Sequence, residues 1–179
     1  MINLEKITED NFDDVVDLRV SDEQKGFVDT NLYCLAQAYV DLANEELPPV
    51  LFAITNDGEV IGLVAMDYYK LSETSYLTKH FGDKMTYEIN HFMIDQRYQG
   101  KGLAKQAMQK IIEYIKTFPQ GEADAISLSY WSVNDGARGV YSSVGFTETG
   151  DIWDGEKLIP WDKTRKDLDQ AEVGARLGL

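Results

Sequence analysis

The chain has 179 residues, 44% of them apolar and 11% aromatic, which fits one globular domain with a sizeable core. Its 17 Lys and Arg against 31 Asp and Glu leave a formal charge of −14, which excludes the basic face of a nucleic-acid binder and suits a cationic ligand. A single cysteine, Cys34, excludes an internal disulfide, and two histidines, His80 and His91, cannot complete a zinc-type cluster with it at these spacings.

Met1 to Lys6 reads as a short strand, without the basic-then-apolar order of a secretory signal. No run approaches the ~18 apolar residues that cross a bilayer. A cytoplasmic protein with no membrane partner is expected. Thr8 to Val20 reads as a helix capped by Thr8, with Phe12, Val15, Val16 and Leu18 apolar. Thr30 to Glu46 reads as a second helix, with Leu32, Leu35, Ala36, Tyr39, Val40 and Ala43 as its apolar face. Cys34 reads as a small buried residue of that helix. Pro48-Pro49 ends it.

Val50–Thr55 and Glu59–Tyr69 are strand-like, and Asn56-Asp57-Gly58 between them is a hairpin signal. Lys70 to Lys84 is polar. Met85 to Asp95 is a further strand and Gly102 to Thr117 a helix, with Leu103, Ala107, Met108, Ile111 and Ile115 on its apolar face. Ala125 to Trp131 is a strand and Asn134 to Val144 a short helix stopped by Gly145. Phe146–Trp153 and Glu156–Ile159 form a last hairpin around Asp154-Gly155. The expected order, β-α-α-β-β-β-α-β-α-β-β, is an α/β mixed, mostly antiparallel sheet flanked by helices. Residues 1–161 form the expected domain, and residues 162–179 a charged tail or surface helix.

The chemistry is concentrated in Ile94-Asp95-Gln96-Arg97-Tyr98-Gln99-Gly100-Lys101-Gly102-Leu103-Ala104. A strand runs through a two-glycine turn into an amphipathic helix. The first turn of a helix offers unpaired N–H groups and partial positive charge, and glycines let backbone approach an anion. Arg97 and Lys101 add charge, so a pyrophosphate fits. The dinucleotide fingerprint fails at Lys105, and the P-loop pattern is absent. A second pattern follows: Asn134, Ala137, Tyr141, Gly145 and Phe146, with Ala137 and Tyr141 one turn apart on a helical face.

Together these two patterns resemble the GNAT superfamily of N-acetyltransferases. The resemblance implies acetyl-CoA as cosubstrate, with no metal. Its pyrophosphate would sit on Arg97, Gln99, Gly100, Lys101, Gly102, Leu103 and Ala104. Its pantetheine arm and acetyl oxygen would sit on the backbone of Phe92, Met93 and Ile94, with further contacts from Asn134, Ala137 and Tyr141. The stretch Leu18-Arg19-Val20-Ser21, Gln24, Phe27-Val28 and Cys34-Leu35, with Asp154-Gly155-Glu156-Lys157, resembles bacterial spermine/spermidine acetyltransferases.

Aminolysis of a thioester needs a neutral amine, and a primary amine with a pKa near ~10.4 is mostly protonated at neutral pH. Glu88 is the expected proton acceptor, directly or through water oriented by Asn90, while His91 points to the opposite strand face. Tyr141 is the expected acid for the leaving thiolate. Transfer is expected to be direct, without a covalent enzyme intermediate. The acceptor side is open: Asp22, Glu23, Asp29, Asp67 and Glu73 are candidates for an acidic groove, and Phe27, Tyr33 and Trp131 for its apolar walls. A protein N-terminus, an amino acid, an aminoglycoside-like antibiotic or a non-catalytic acyl-CoA sensor are the alternatives to a polyamine. The resemblance is compatible with a homodimer.

Overall fold

The computed structural model describes residues 1–44, 49–70, 84–153, 158–160 and 172–179. The expected features at Glu73, His80 and the Asp154–Lys157 turn lie outside the described residues. The described chain divides into two compact units: Met1–Asp67 with Ile89–Pro119, and Tyr68–Glu88 with Gln120–Leu179. Strands β3 (Glu59–Lys70) and β4 (Met85–Ile94) run through both.

In the first unit the strand order is β1 (Ile2–Glu5), β2 (Val50–Asn56), β3, β4. The β1/β2 and β2/β3 pairs are antiparallel. The β2–β3 turn is two residues, Asp57 and Gly58, with φ of 51° and 87°. Both values are positive, as a tight hairpin turn matching the strand twist demands. Gly62 on β3 has a different reason to be glycine. A Cβ there would lie 2.4 Å from the Met93 carbonyl oxygen and 2.9 Å from Ile94 Cδ1. Its absence lets β3 approach the end of β4.

Helix α1 is only Phe12–Asp17, shorter than the expected Thr8–Val20. Leu18 is extended (ψ 144°). The reason is tertiary: the Arg19 N–H donates to Asp95 Oδ2 (2.8 Å) and its carbonyl accepts from the Gln96 N–H (2.8 Å), pulling this segment out of helix. Helix α2 spans Asn31–Ala43, with Thr30 Oγ1 accepting from the Tyr33 N–H as cap. The core beneath it is Val15, Leu18, Ala53, Leu63 and Met93, against which Cys34 and Leu35 pack. The expected apolar face of α2 is a correction. Leu32, Tyr39 and Val40 are exposed at 57%, 72% and 48%, and the buried residue of the helix is Asn31. Asn31 Nδ2 donates to the Val15 carbonyl (2.8 Å), so a polar residue is satisfied inside while the apolar stripe faces out. Helix α3, Leu103–Ile115, buries Ala107, Met108, Ile111, Ile112 and Ile115 as its pattern demands.

The second unit holds the strand order β4, β5 (Ala125–Trp131), β8 (Glu172–Gly178), β6 (Thr147–Trp153), β7 (Leu158–Pro160). Helix α4 is Asp135–Ser143. β8 is antiparallel to both β5 and β6, where a tail or surface helix was expected. Val173, Ala175 and Leu177 alternate at strand period, and Val173 and Ala175 are buried. Charge in the preceding run hides that alternation. The fold is the expected α/β mixed sheet flanked by helices, with eight strands among the described residues where seven were expected.

Candidate acetyl-transfer site

Strand β4 alternates in burial: Ile89, His91 and Met93 are inside, while Glu88, Asn90 and Phe92 are partly or fully exposed. The two expected proton-handling residues therefore share the open face, and His91 takes the other. His91 Nε2 is 3.0 Å from Asn31 Oδ1. Burial pushes its pKa down to about 4, against a smaller upward pull from Asp29, so it is a neutral core residue. On the open face, the Tyr69 hydroxyl donates to Glu88 Oε2. Asn90 Nδ2 donates to Asp67 Oδ2. Burial raises the Asp67 pKa, the Asn90 hydrogen bond lowers it and Asp41 raises it further, with a net rise.

β4 ends at Ile94, and the next residue organises the glycine loop. Asp95 is 1% exposed, and its N–H donates to the Ile61 carbonyl (2.8 Å). Its Oδ1 accepts from the Arg97 N–H (2.9 Å) and from Arg97 Nε (2.8 Å), capping the 3-10 turn Gln96–Tyr98. Burial alone pushes its pKa up. The Arg97 side chain, the Arg19 and Arg97 N–H groups and the Arg97 charge outweigh that and hold it below the usual carboxylate range. Gln99 Nε2 ties the loop from the other side, to the Ile94 carbonyl (2.7 Å) and to Gln24 Oε1 (2.9 Å).

Gly100 and Gly102 both have left-handed backbone, φ 73° and 74°, and Gly102 starts α3. A Cβ at either would meet nothing within 4 Å, so the space before the loop is open and the glycines are there for their φ. Among the described residues, the backbone N–H groups of residues 100–105 have no acceptor. A run of free amides at a helix N-terminus suits a pyrophosphate. The expected cations are arranged differently from a simple charge clamp. Arg97 is paired with Asp95, and Lys101 Nζ donates to the Arg97 carbonyl (2.9 Å). Both lie 5.5 Å from the centre of the Tyr98 ring. The cradle is thus chiefly backbone, with Leu103 and Ala104 opening the helix behind it.

In the second unit, Asn134 Oδ1 accepts from the Ala137 N–H (3.0 Å), so Asn134 is the N-cap of α4. Tyr141 is 7% exposed, with its ring 5.5 Å from Tyr130 and 5.9 Å from Phe146. Burial, then the nearby Tyr130, pushes its phenol pKa above the ordinary value, so the hydroxyl stays protonated. Arg138 binds α4 to the sheet, from Nε to Glu148 Oε1 (2.8 Å) and from Nη2 to the Ser132 carbonyl (3.3 Å). The Tyr130 hydroxyl also donates to Glu148.

Sequence reasoning gave no role to Asp95, Arg19, Gln24, Arg138 or Glu148. Asp95 had a legible signal: an Asp just before a tight turn is a capping residue. Gln24 had one too, as the third residue of a Ser21–Gln24 capping box, and Arg138 pairs with Asp135 one turn before it; Arg19 and Glu148 act through Asp95 and through Tyr130 and Arg138, which the fold brings to them.

The model of the acetyltransferase (GNAT) family matches residues 12–146. The chain belongs to the GNAT acetyltransferase family. As a GNAT protein it is an acetyltransferase enzyme, and the match includes the glycine loop and the Asn134–Tyr141 helix. It is 26% identical over 159 residues to the spermine/spermidine N(1)-acetyltransferase of Bacillus subtilis strain 168, covering 88% of this chain and 96% of that protein. Among solved structures it is similar to the spermidine N-acetyltransferase of Vibrio cholerae in complex with CoA and spermine (TM-score 0.66, 15% identity, 99% and 95% of the two chains). It is equally similar to a ribosomal L7/L12 alpha-N-protein acetyltransferase in complex with CoA (TM-score 0.66, 14% identity, 99% and 94%). At those identities the two structures share the GNAT fold with this chain, while their acceptors differ. No described helix is long and apolar enough to cross a membrane.

Proposed function

We propose that this GNAT enzyme acetylates a primary amine of a polyamine such as spermidine or spermine, by direct transfer from acetyl-CoA. The observation that carries the acceptor class is the 26% identity to the spermine/spermidine acetyltransferase, over 96% of that protein. The charge distribution agrees with it. The Cys34 thiol pKa is pushed up to about 12 by burial and then by Asp67 and Asp29, so both carboxylate fields reach one place in the first unit. A cationic acceptor would be drawn there.

Acetyl-CoA supplies an acetyl thioester. The free amides of residues 100–105 hold its pyrophosphate, and the backbone of Phe92, Met93 and Ile94 holds the pantetheine arm and acetyl oxygen. Arg97, Gln99 and Lys101 stiffen that loop through their bonds to Asp95, Ile94 and the Arg97 carbonyl. Glu88, on the open face of β4, accepts the amine proton directly or through water. Tyr141, kept protonated by burial, delivers a proton to the departing sulfur. Asn134 and Ala137 set the start of the helix that carries it. Direct transfer is supported by Cys34, whose raised pKa leaves almost no thiolate to act as a nucleophile at neutral pH.

The test is thiol release from acetyl-CoA against spermidine, spermine, free amino acids, N-terminal peptides and aminoglycosides. Polyamines giving the highest kcat/KM is the expected result. A peptide or aminoglycoside preferred by tenfold or more would move the acceptor class, and cofactor binding without release on any amine would make the protein a sensor.

A further inference from the structure

Helix α4 is tied down before and after Tyr141 in the chain, by different means. After it the tie is backbone: the Phe146 N–H donates to the Tyr141 carbonyl (3.1 Å). Before it the tie is an ionic network. Arg138, one turn ahead of Tyr141, donates from Nε to Glu148 Oε1 on β6 (2.8 Å), from Nη1 to Asp135 Oδ1 (2.9 Å) and from Nη2 to the Ser132 carbonyl (3.3 Å). The Tyr130 hydroxyl, on β5, donates to the same Glu148 oxygen. The Arg138 guanidinium also lies 6.0 Å from the centre of the Tyr130 ring, so side chains from a helix and two strands close on one another.

Tyr130 is the member of this network that reaches Tyr141. The two rings are 5.5 Å apart and inclined at 54°, and Tyr141 meets Phe146 at 5.9 Å and 57°. Burial and then the Glu148 hydrogen bond push the Tyr130 phenol pKa up to about 12, against a downward pull from Arg138, so Tyr130 remains a donor at neutral pH.

A phenol needs one acceptor, and a backbone carbonyl would satisfy it. Tyr130 instead meets a carboxylate that is itself paired, with the Arg138 and Glu148 side chains 21% and 29% exposed. A partly buried ion pair adds little to stability, because desolvation offsets the attraction, but its directional bonds fix geometry. What lies within reach of that geometry is the Tyr141 hydroxyl, at the far end of its ring, where a small tilt of α4 or of the ring moves it most. A misplacement of about 1 Å can cost about 10²-fold in rate.

We infer that Tyr130, Glu148 and Arg138 are positioning residues for Tyr141, holding its hydroxyl where the departing sulfur receives a proton. The inference rests on Tyr141 as the acid of the proposed function.

Tyr130→Phe keeps the ring and deletes only the hydroxyl. It should lower kcat about tenfold and leave KM for acetyl-CoA within about twofold. In a Tyr141→Phe background it should cost nothing further, because no hydroxyl is left to place. Glu148→Gln still accepts from Tyr130 and Arg138 and should keep kcat within about threefold of wild type, whereas Glu148→Ala should fall about as far as Tyr130→Phe. Rates are compared below the thermal transition of each variant, so loss of fold does not enter. Unchanged kcat in both Tyr130→Phe and Glu148→Ala would reduce the network to packing and overturn the inference. So would full additivity of Tyr130→Phe with Tyr141→Phe, or a Glu148→Gln rate as low as that of Glu148→Ala. Wild-type turnover in Tyr141→Phe alone would overturn the reading of the acid itself, and the inference with it.

Discussion

Asp95 and Arg97 form a bidentate pair two residues apart, with Arg97 Nε 2.8 Å from Oδ1 and Nη2 3.2 Å from Oδ2. The same carboxylate accepts the N–H groups of Arg19 and Arg97, so one buried anion fastens the glycine loop to the segment after α1. Asp95→Ala leaves those donors without their acceptor. It should cost about 2–4 kcal/mol of stability. KM for acetyl-CoA should rise about tenfold, because a looser loop spends binding energy on its own ordering. Thermal unfolding and a CoA titration measure the two effects. Unchanged KM in a folded variant would mean the loop is stiff without Asp95.

His91 makes stability depend on pH. Its folded pKa of about 4 lies below the ordinary 6.5, so the fold favours the neutral ring. The contribution is full above pH 6.5 and is lost as pH falls from there towards 4. Two to three units at 1.36 kcal/mol each give a loss of about 3 kcal/mol. The faces around the ring hold Asn31 as its hydrogen-bond partner and Asp29 as the charge that pulls the pKa back up. His91→Gln should flatten the dependence of the unfolding midpoint on pH between 6.5 and 4. A slope equal to that of wild type would place the titration elsewhere.

Tyr141→Phe keeps the ring between Tyr130 and Phe146 and removes only the hydroxyl. Loss of a general acid typically costs 10²–10⁴ in rate, so kcat should fall at least a hundredfold. Acetyl-CoA affinity by calorimetry should stay within about twofold, since the pyrophosphate and pantetheine groups lose nothing. Wild-type turnover would remove Tyr141 from the chemistry.

Glu88→Gln can still accept the Tyr69 hydroxyl hydrogen bond but cannot take a proton. The expected result is a fall in kcat of about 10². Raising the pH should recover part of it, as more amine becomes neutral without help. A variant with unaltered rate and pH profile would leave Glu88 as a strand residue paired with Tyr69.

Gly62→Ala would drive a methyl group to 2.4 Å from the Met93 carbonyl oxygen. Something must move, and both neighbours are strands. Overpacking of this kind costs about 1–3 kcal/mol. The same shift displaces the Met93 and Ile94 backbone, so KM for acetyl-CoA should rise as the unfolding midpoint falls. Normal values of both would show that the β3–β4 edge yields freely.

Most elements were legible because their signals are local. Asp57-Gly58 demanded a two-residue turn, and the buried stripe of α3 repeats at helical period. Gly100 and Gly102 announced a turn into a helix that lets an anion approach closely, and the structure adds that both have left-handed backbone. The errors fell where a distant partner overrides local preference. α1 stops at Asp17 because Asp95, far along the chain, takes the Arg19 N–H. β8 was read as a tail because its partners β5 and β6 supply the hydrogen bonds that make a strand.

The sequence by itself determined the glycine loop and the Asn134–Tyr141 helix, because spacing along a strand or helix sets which groups share a face, and the resemblance carried by these two patterns pointed to the family. Tertiary structure decided which of those groups are free. Only folding reveals that Arg97 is bound by Asp95 while the loop amides are open, and that α2 turns Asn31 inward and Leu32, Tyr39 and Val40 outward. The physical reason is the same in each case: a side chain's role is set by the partner that satisfies it, and the partner is brought by the fold.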